Sequence, residues 1–321
     1  MKLYNILFIF CLSMLLTACM TTHDTVSGHE AHAMYNSTYP LSQNTDIIGR
    51  TRTITVKRGD TLTNIAGRYG VGMQEMVDAN SSVTDKTRQL TVGEQLIVPT
   101  QYILPPKKYR EGIVINVAEM RLYYFSLDGR YVSTYPVSLG REGWRTPLGS
   151  TYVYRKQPNP TWNVPESIRK YYADKGEVLP KQVPPGPDNP LGHYAIYLGM
   201  QGYLIHGTNA PWNIGKYVSS GCIRMRNHDV EELYYQVNKG TPVHIIYEPH
   251  KAGWANGKLY LESHTPVTDN EGSNNYQLDS SAKVVVNEVK SEFAAYVDNQ
   301  ALEQVSSSHS GVPTVVGGQQ G

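Results

Sequence analysis

A chain of 321 residues with 40% hydrophobic content has room for two domains plus tails and for an ordinary buried core. Lys and Arg number 29 against 28 Asp and Glu, with no basic block and no Lys/Arg stripe, so the expected partner is not nucleic acid or another polyanion. Tyr outnumbers Phe 24 to 4, and 18 of the Tyr lie between Tyr102 and Tyr260. Rings with apolar bodies and polar tips suit a sugar- or peptide-lined groove, and they equally suit half-buried strands.

At the start of the chain, Lys2 precedes an apolar run from Ile6 to Leu16 that is too short to span a bilayer and reads as a secretory signal. Leu16-Thr17-Ala18-Cys19 resembles a bacterial lipobox, which implies removal of residues 1–18 and acylation of the Cys19 thiol. Met20 stands where an Asp would signal retention in the inner membrane, so the resemblance implies a lipid anchor in the outer membrane, facing the periplasm. A plain signal peptide with an incidental cysteine is the alternative. Either way Cys11 is discarded and Cys222 is the one thiol left unmodified. Residues 19–52 are polar, rich in Ser, Thr, His and Asn, and without a sustained period, so they read as a tether.

From Thr53 to Pro99, Ile54 and Val56 alternate with polar residues as a short strand does, and Leu62, Ile65, Ala66 and Tyr69 share one helical face that stops at Gly70. A second short helix over Met73 to Ala79 and a closing strand over Gln95 to Val98 complete a βααβ order. VKRGDTLTNIAGRYGV, the pair Ala79-Asn80 and LTVGEQLIVP resemble a LysM domain over residues 53–99, which implies binding to N-acetylglucosamine in peptidoglycan. Residues 100–111, with Pro105-Pro106 and Lys107-Lys108, read as a short stiff linker.

From Gly112 the pattern turns to strands: IVINV, MRLYYFS, an Asp128-Gly129 hairpin turn and YVSTYPVSLG. Further strands are expected at Ser150 to Tyr154, His193 to Leu198, Tyr203 to His206 and Val243 to Tyr247, with one helix from Asn227 or His228 to Val237 and a last strand at Lys258 to Glu262. Residues 112–262 therefore predict a mainly β catalytic domain, a sandwich or partly closed barrel with minor helix, beside the small α+β LysM domain. Between Lys156 and Pro190 eight prolines rule out a run of central strands. A short helix over Glu166 to Lys175, Trp162 and the pair Tyr171-Tyr172 make this segment a lid or substrate wall. Residues 263–321 are polar, with an amphipathic helix near Ala282 to Glu303, and read as a partly disordered extension without assigned function.

The chemistry centres on LIHGTNAPWNIGKYVSSGCIRM, Leu204 to Met225. A thiol attacks a carbonyl as thiolate and needs a base nearby. His206, at the end of an apolar strand, is the candidate base for Cys222. Backbone N–H groups of the turn Ser220-Gly221-Cys222 are candidates for meeting the charge that builds on the carbonyl oxygen. Arg224 is placed to bind a substrate carboxylate with its forked guanidinium. Each assignment has a bland rival: Cys222 as a small buried hydrophobe, His206 as a satisfied core histidine, Arg224 as half of a structural ion pair. A zinc site from His206, Cys222 and His228 is a further alternative, although no CxxC or HxxxH pair exists.

GIVINVAEMRLYYF, RTPLGSTYV, PTWNVPESIRK, PPGPDNPLGHYAIYL, LIHGTN and VSSGCIRM, in this order, resemble an L,D-transpeptidase catalytic domain of the YkuD type, and most closely its enterobacterial branch. The resemblance implies Cys222 as nucleophile, His206 as general base and acid, the Gly207 carbonyl as orienter, amides of Ser220, Gly221 and Cys222 as oxyanion hole, and Arg224 and Trp162 as substrate contacts. It also implies a peptidoglycan tetrapeptide stem as donor, a thioester, release of D-alanine, and an amine acceptor from either a murein lipoprotein lysine or the diaminopimelate of another stem. No cofactor or metal is implied. Many relatives read SHGC where this chain has Ser219-Ser220-Gly221-Cys222, so His206 is left as the candidate base. Two other readings remain at this level: a hydrolase in which water replaces the amine, and a non-catalytic wall-binding lipoprotein.

Overall fold

The computed structural model describes residues 35–83, 89–267, 281–291 and 295–319. The expected signal segment, Cys11 and Cys19 lie outside the described residues, as does residue 19–34 of the expected tether. No helix among the described residues is long and apolar enough to cross a membrane.

The fold is mainly β. Nine strands form one curled sheet in the order Thr38–Pro40, Tyr131–Pro136, Arg121–Phe125, Gly112–Asn116, Pro242–Ile246, Gly149–Pro158, Tyr194–Leu198, Leu204–His206 and Ile223–Arg224. The Asp128-Gly129 turn joins two antiparallel neighbours, with Gly129 at φ +68° where a side chain would be strained. Ile113, Ile115, Leu122, Ile196, Ile205 and Ile223 point to one side and are buried. Among the described residues six helices accompany the strands: α1 (Leu62–Tyr69), α2 (Met73–Asp78), α3 (Glu166–Ala173), α4 (Asn227–Gln236), α5 (Ala282–Lys290) and α6 (Asn299–Ser308). Val230 and Leu233 of α4 close the core against the sheet.

The N-terminal LysM-type unit pairs Arg52–Thr55 with Gln95–Val98 around α1 and α2. Thr61 caps α1 by accepting the Asn64 N–H, and Gly70 ends it in the left-handed conformation. Asn80 explains its place after Ala79: its amide donates to the Met76 and Ile97 carbonyls at 2.7 and 2.8 Å and accepts the Ile97 N–H at 2.7 Å. One side chain thus ties the second helix to the closing strand.

Three expectations are corrected. The part of the expected tether from residue 35 to 52 is folded: Thr38–Pro40 is an edge strand of the nine-stranded sheet, and Ile47–Gly49 pairs with Gln101–Ile103. Backbone pairing at a sheet edge needs no apolar period, and the polar side chains find acids on α4, with Ser37 Oγ donating to Glu232 at 2.9 Å. The expected linker 100–111 is likewise not a free spacer, since Tyr102, Ile103 and Leu104 are buried.

The third correction concerns the end of the chain. His250–Ala255, Lys258–Ser263, Thr314–Gln319 and Ala295–Val297 form a separate four-stranded sheet, covered by α5 and α6. The strands placed in the catalytic domain up to residue 262 therefore belong to a C-terminal layer with its own core of Trp254, Leu259, Leu261, Val286 and Leu302. The expected helix over Ala282 to Glu303 is two helices, the second capped by Asp298, which accepts the Gln300 and Ala301 N–H groups. Lys251 pins this layer down. Its ammonium lies 2.8 Å from Glu119 and 2.9 Å from Glu262 and donates to the Ile103 carbonyl at 2.6 Å. Glu119, Glu262 and His264 could by themselves hold a cation, and the Lys251 ammonium already occupies that role.

The LysM-type unit is docked directly on the sheet. Arg121, 1% exposed in its side chain, makes a two-pronged ion pair with Glu75 of α2 at 2.7 and 2.8 Å, and its guanidinium stacks 4.0 Å from the Tyr102 ring. The Met73 and Gln74 N–H groups donate to the Ile214 and Gly215 carbonyls, and Arg226 donates to the Val71 carbonyl at 2.8 Å. A Cβ on Gly215 would come within 2.5 Å of the Gly72 backbone, so close approach requires glycine there. Glu75→Ala strands a buried cation. It should lower stability by about 3–5 kcal/mol in urea unfolding; a change below about 0.5 kcal/mol would show that the pair does not fasten the two units.

Candidate active site

Two short strands build the site. Leu204–His206 runs parallel to Ile223–Arg224, with Ile205 opposite Ile223 and His206 opposite Arg224. Side chains alternate along a strand, so this register turns Ile205 and Ile223 into the core and puts Leu204, His206, Cys222 and Arg224 on the other face. All four line a cavity of about 640 Å³. Trp162 lines it too, together with Tyr172 of α3. The proline-rich segment is an ordered wall: Trp162–Asn163 pairs with Gln182–Val183, and Asn189 donates to the Pro160, Val183 and Pro184 carbonyls. The strand expected to end at Tyr154 continues into this segment as far as Pro158.

His206 is buried, and its Nδ1 lies 2.7 Å from the Gly207 carbonyl oxygen. A carbonyl only accepts, so Nδ1 carries the hydrogen and Nε2 keeps its lone pair. Burial, aided by the Arg224 charge, pushes the His206 pKa down from 6.5 to about 3. The imidazole is therefore neutral through the physiological range. An unfolded chain would take up this proton near pH 6.5, so the folded state loses stability from this group as pH falls from there towards 3. Gly207 is fixed in turn by Asn227 at the start of α4, whose amide accepts the Thr208 N–H and donates to the Thr208 carbonyl, each at 3.0 Å. A Cβ on Gly207 would meet Asn227 Oδ1 at 2.2 Å.

Cys222 is half-buried and unpaired, with Sγ 3.7 Å from the Gly202 carbonyl. Burial raises its pKa above 9.0, while Arg224 pulls it back. Burial thus favours the neutral thiol and the neutral imidazole. The turn before it is braced from both sides. Ser219 Oγ donates to the Cys222 carbonyl at 2.6 Å and accepts the Gly221 N–H at 3.1 Å. Thr146 Oγ1 donates to the Gly221 carbonyl at 2.8 Å and accepts the Gly140 N–H at 3.0 Å. This corrects the expected oxyanion hole: the Gly221 amide is spent inside the turn, leaving those of Ser220 and Cys222 as the candidates. Gly221, at φ +102°, lets the chain turn under Tyr203.

The bland rivals can now be weighed. Among the described residues Arg224 pairs with no carboxylate, and its buried Nε has no partner. The zinc alternative fails on geometry: His228 contacts Tyr35 and Asp229 on α4 and does not line the cavity. Asn227, Thr146 and Arg141 were not singled out from sequence. Thr146 sits in the RTPLG segment and Arg141 just after a strand-ending Gly, but only the folded turn shows what they touch.

Residues 110–245 match the L,D-transpeptidase catalytic domain family (YkuD), and residues 54–99 match the LysM domain family. The chain is 41% identical over 278 residues to the probable L,D-transpeptidase ErfK/SrfK of Escherichia coli, spanning 85% of this chain and 87% of that protein. It belongs to the L,D-transpeptidase family. The probable L,D-transpeptidase YbiS of Escherichia coli is 39% identical over 285 residues, 86% of this chain and 90% of that one. Among solved structures, L,D-transpeptidase 3 of Mycobacterium tuberculosis aligns with a TM-score of 0.34 at 20% identity, covering 48% of this chain and 67% of that chain.

A neutral thiol held high by burial has a measurable signature. Iodoacetamide alkylation of Cys222 in the folded protein should keep accelerating above about pH 9, because the thiolate fraction is still rising there. A rate plateau reached by about pH 7 would reveal a thiolate–imidazolium pair instead.

Proposed function

We propose that this L,D-transpeptidase family member acts on peptidoglycan tetrapeptide stems through a thioester on Cys222. The observation that carries the reading is one face of two paired strands bearing a thiol, a neutral imidazole with Nε2 unprotonated, and a guanidinium whose buried Nε has no partner among the described residues. His206 Nε2 takes the Sγ proton as Sγ attacks the carbonyl carbon of the third stem residue. The oxyanion is met by the Ser220 and Cys222 N–H groups. Collapse breaks the bond to the fourth residue, His206 returns the proton to the departing nitrogen, and D-alanine leaves. An acceptor amine then attacks the thioester, His206 takes its proton, and the thiol is regenerated. The acceptor is the lysine of a murein lipoprotein or the diaminopimelate of a second stem.

The LysM-type unit is assigned to glycan strands and Cys19 to a lipid anchor that holds the enzyme at the outer membrane, facing the periplasm. The docking of the LysM-type unit on Ile214 and Gly215, just before the nucleophile turn, supports a targeting module held at fixed distance from the chemistry.

Tetrapeptide muropeptides, offered with and without a lysine-ended lipoprotein peptide, should give coupled products by mass spectrometry. Cys222→Ala should give none, and His206→Ala should be slower by about 10²–10⁴-fold. Turnover retained in Cys222→Ala would contradict the thioester route, and tripeptide without any coupled product would make the enzyme a hydrolase.

A further inference from the structure

A module that only brings an enzyme to its polymer needs no contact with the reacting groups, since a flexible tether suffices. The LysM-type unit is instead joined to both arms of the site through one short segment, Val71 to Gln74. The first arm leads to the nucleophile. The Met73 and Gln74 N–H groups donate to the Ile214 and Gly215 carbonyls at 3.1 and 3.3 Å. Ile214 and Gly215 are both buried, and backbone carbonyls in such a place need a partner from the protein. From there the Lys216 carbonyl accepts the Leu139 N–H at 3.2 Å, Tyr217–Ser219 runs parallel to Leu139–Gly140, and the Ser219 carbonyl accepts the Arg141 N–H at 3.0 Å. Ser219 is the residue whose hydroxyl braces the turn of Cys222.

The second arm leads to the base. Arg226, which donates to the Val71 carbonyl at 2.8 Å, is the N-cap residue of α4. The next residue, Asn227, holds Thr208, and with it the Gly207 carbonyl on which His206 Nδ1 rests. Between the two arms the seam is glycine on glycine. Gly72 has φ −80°, which any residue adopts, but a Cβ there would lie 3.0 Å from the Gly215 Cα and 3.6 Å from the Pro136 Cβ. Its lack of a side chain therefore answers to the catalytic loop rather than to its own backbone.

Resting on the function proposed above, we propose that Val71–Gln74 positions the nucleophile turn and the Gly207 carbonyl, making Gly72 and Arg226 positioning residues for the reaction at Cys222 and the LysM-type unit a part of the catalytic architecture. A wedge at this seam displaces the strand that enters the turn, and a misplacement of about 1 Å near the reacting groups costs about 100-fold in rate.

The test uses the full chain and a soluble tetrapeptide stem without glycan, so that no sugar contact contributes, with the amine acceptor saturating. Gly72→Ala should lower kcat by about threefold and Gly72→Val by about 10–100-fold, each with the donor KM within about twofold of wild type. Gly67→Ala, on α1 of the same unit, where an added Cβ meets nothing within 4 Å, should leave both constants unchanged. Iodoacetamide alkylation of Cys222 reads the turn without turnover: at about pH 7 its rate in Gly72→Val should differ from wild type by at least about threefold, and Gly67→Ala should match wild type. Thermal melts show which variants are folded, and if Gly72→Val is not, Gly72→Ala decides. A folded Gly72 variant with wild-type kcat and alkylation rate, or one changed only in KM, overturns the positioning role and leaves the transpeptidase reading intact. An equal loss in Gly67→Ala traces the effect to the LysM-type unit at large and likewise overturns it. Wild type that turns over no stem overturns the transpeptidase reading, and the alkylation rates then decide the positioning role alone.

Discussion

The site depends on one pairing: two short parallel strands in a fixed register, Ile205 level with Ile223 and His206 level with Arg224. A slip of one residue would turn Cys222 and Arg224 into the apolar core and expose Ile223 to the cavity. Ile205, Ile223 and Met225, all buried, resist that slip through the hydrophobic effect. The chemistry is thus specified by residues that take no part in it. Because each strand is so short, the register is also held by what surrounds it: the Ser219 and Thr146 hydroxyls around the turn, and Asn227 behind Gly207.

The electrostatics follow from the same burial. Burying His206 makes its protonated form costly, and burying Cys222 makes the thiolate costly. Neither group alone is activated at rest. In the proposed reaction, proton transfer between them would accompany attack on the carbonyl, when a bound donor and the turn amides are present to receive the charge. Arg224 lies within electrostatic reach of both groups and tips each the same way, towards neutral imidazole and towards thiolate.

Much of this was legible in sequence. The alternating runs of the central strands, the Asp128-Gly129 turn and the helix Asn227–Gln236 are local signals, and local signals survive without tertiary knowledge. Cys222 and His206 stood out as candidates because a lone thiol and a strand-end histidine need no long-range partner to be noticed, whereas the Gly207 carbonyl came from the family resemblance. What was illegible is set by contacts across the chain. Thr38–Pro40 is a strand only because Tyr131–Pro136 offers it an edge, and Lys258–Ser263 joins Thr314–Gln319 from the far side of residues 264–313. The commitment of the Gly221 amide to Ser219 Oγ, and the close approach of Gly72 to Gly215, are matters of a few ångströms that composition cannot encode.

The central claim is that the thiol of Cys222, deprotonated by His206, carries the acyl group. Acid-quenching the enzyme within its first turnovers on a tetrapeptide stem, followed by peptide mapping, tests it most directly. The account predicts a tripeptide-acyl mass on the peptide containing Cys222, released by hydroxylamine as a thioester. An acyl group on any other residue, or coupled product formed with no acyl-enzyme detectable under conditions that trap thioesters, would contradict it.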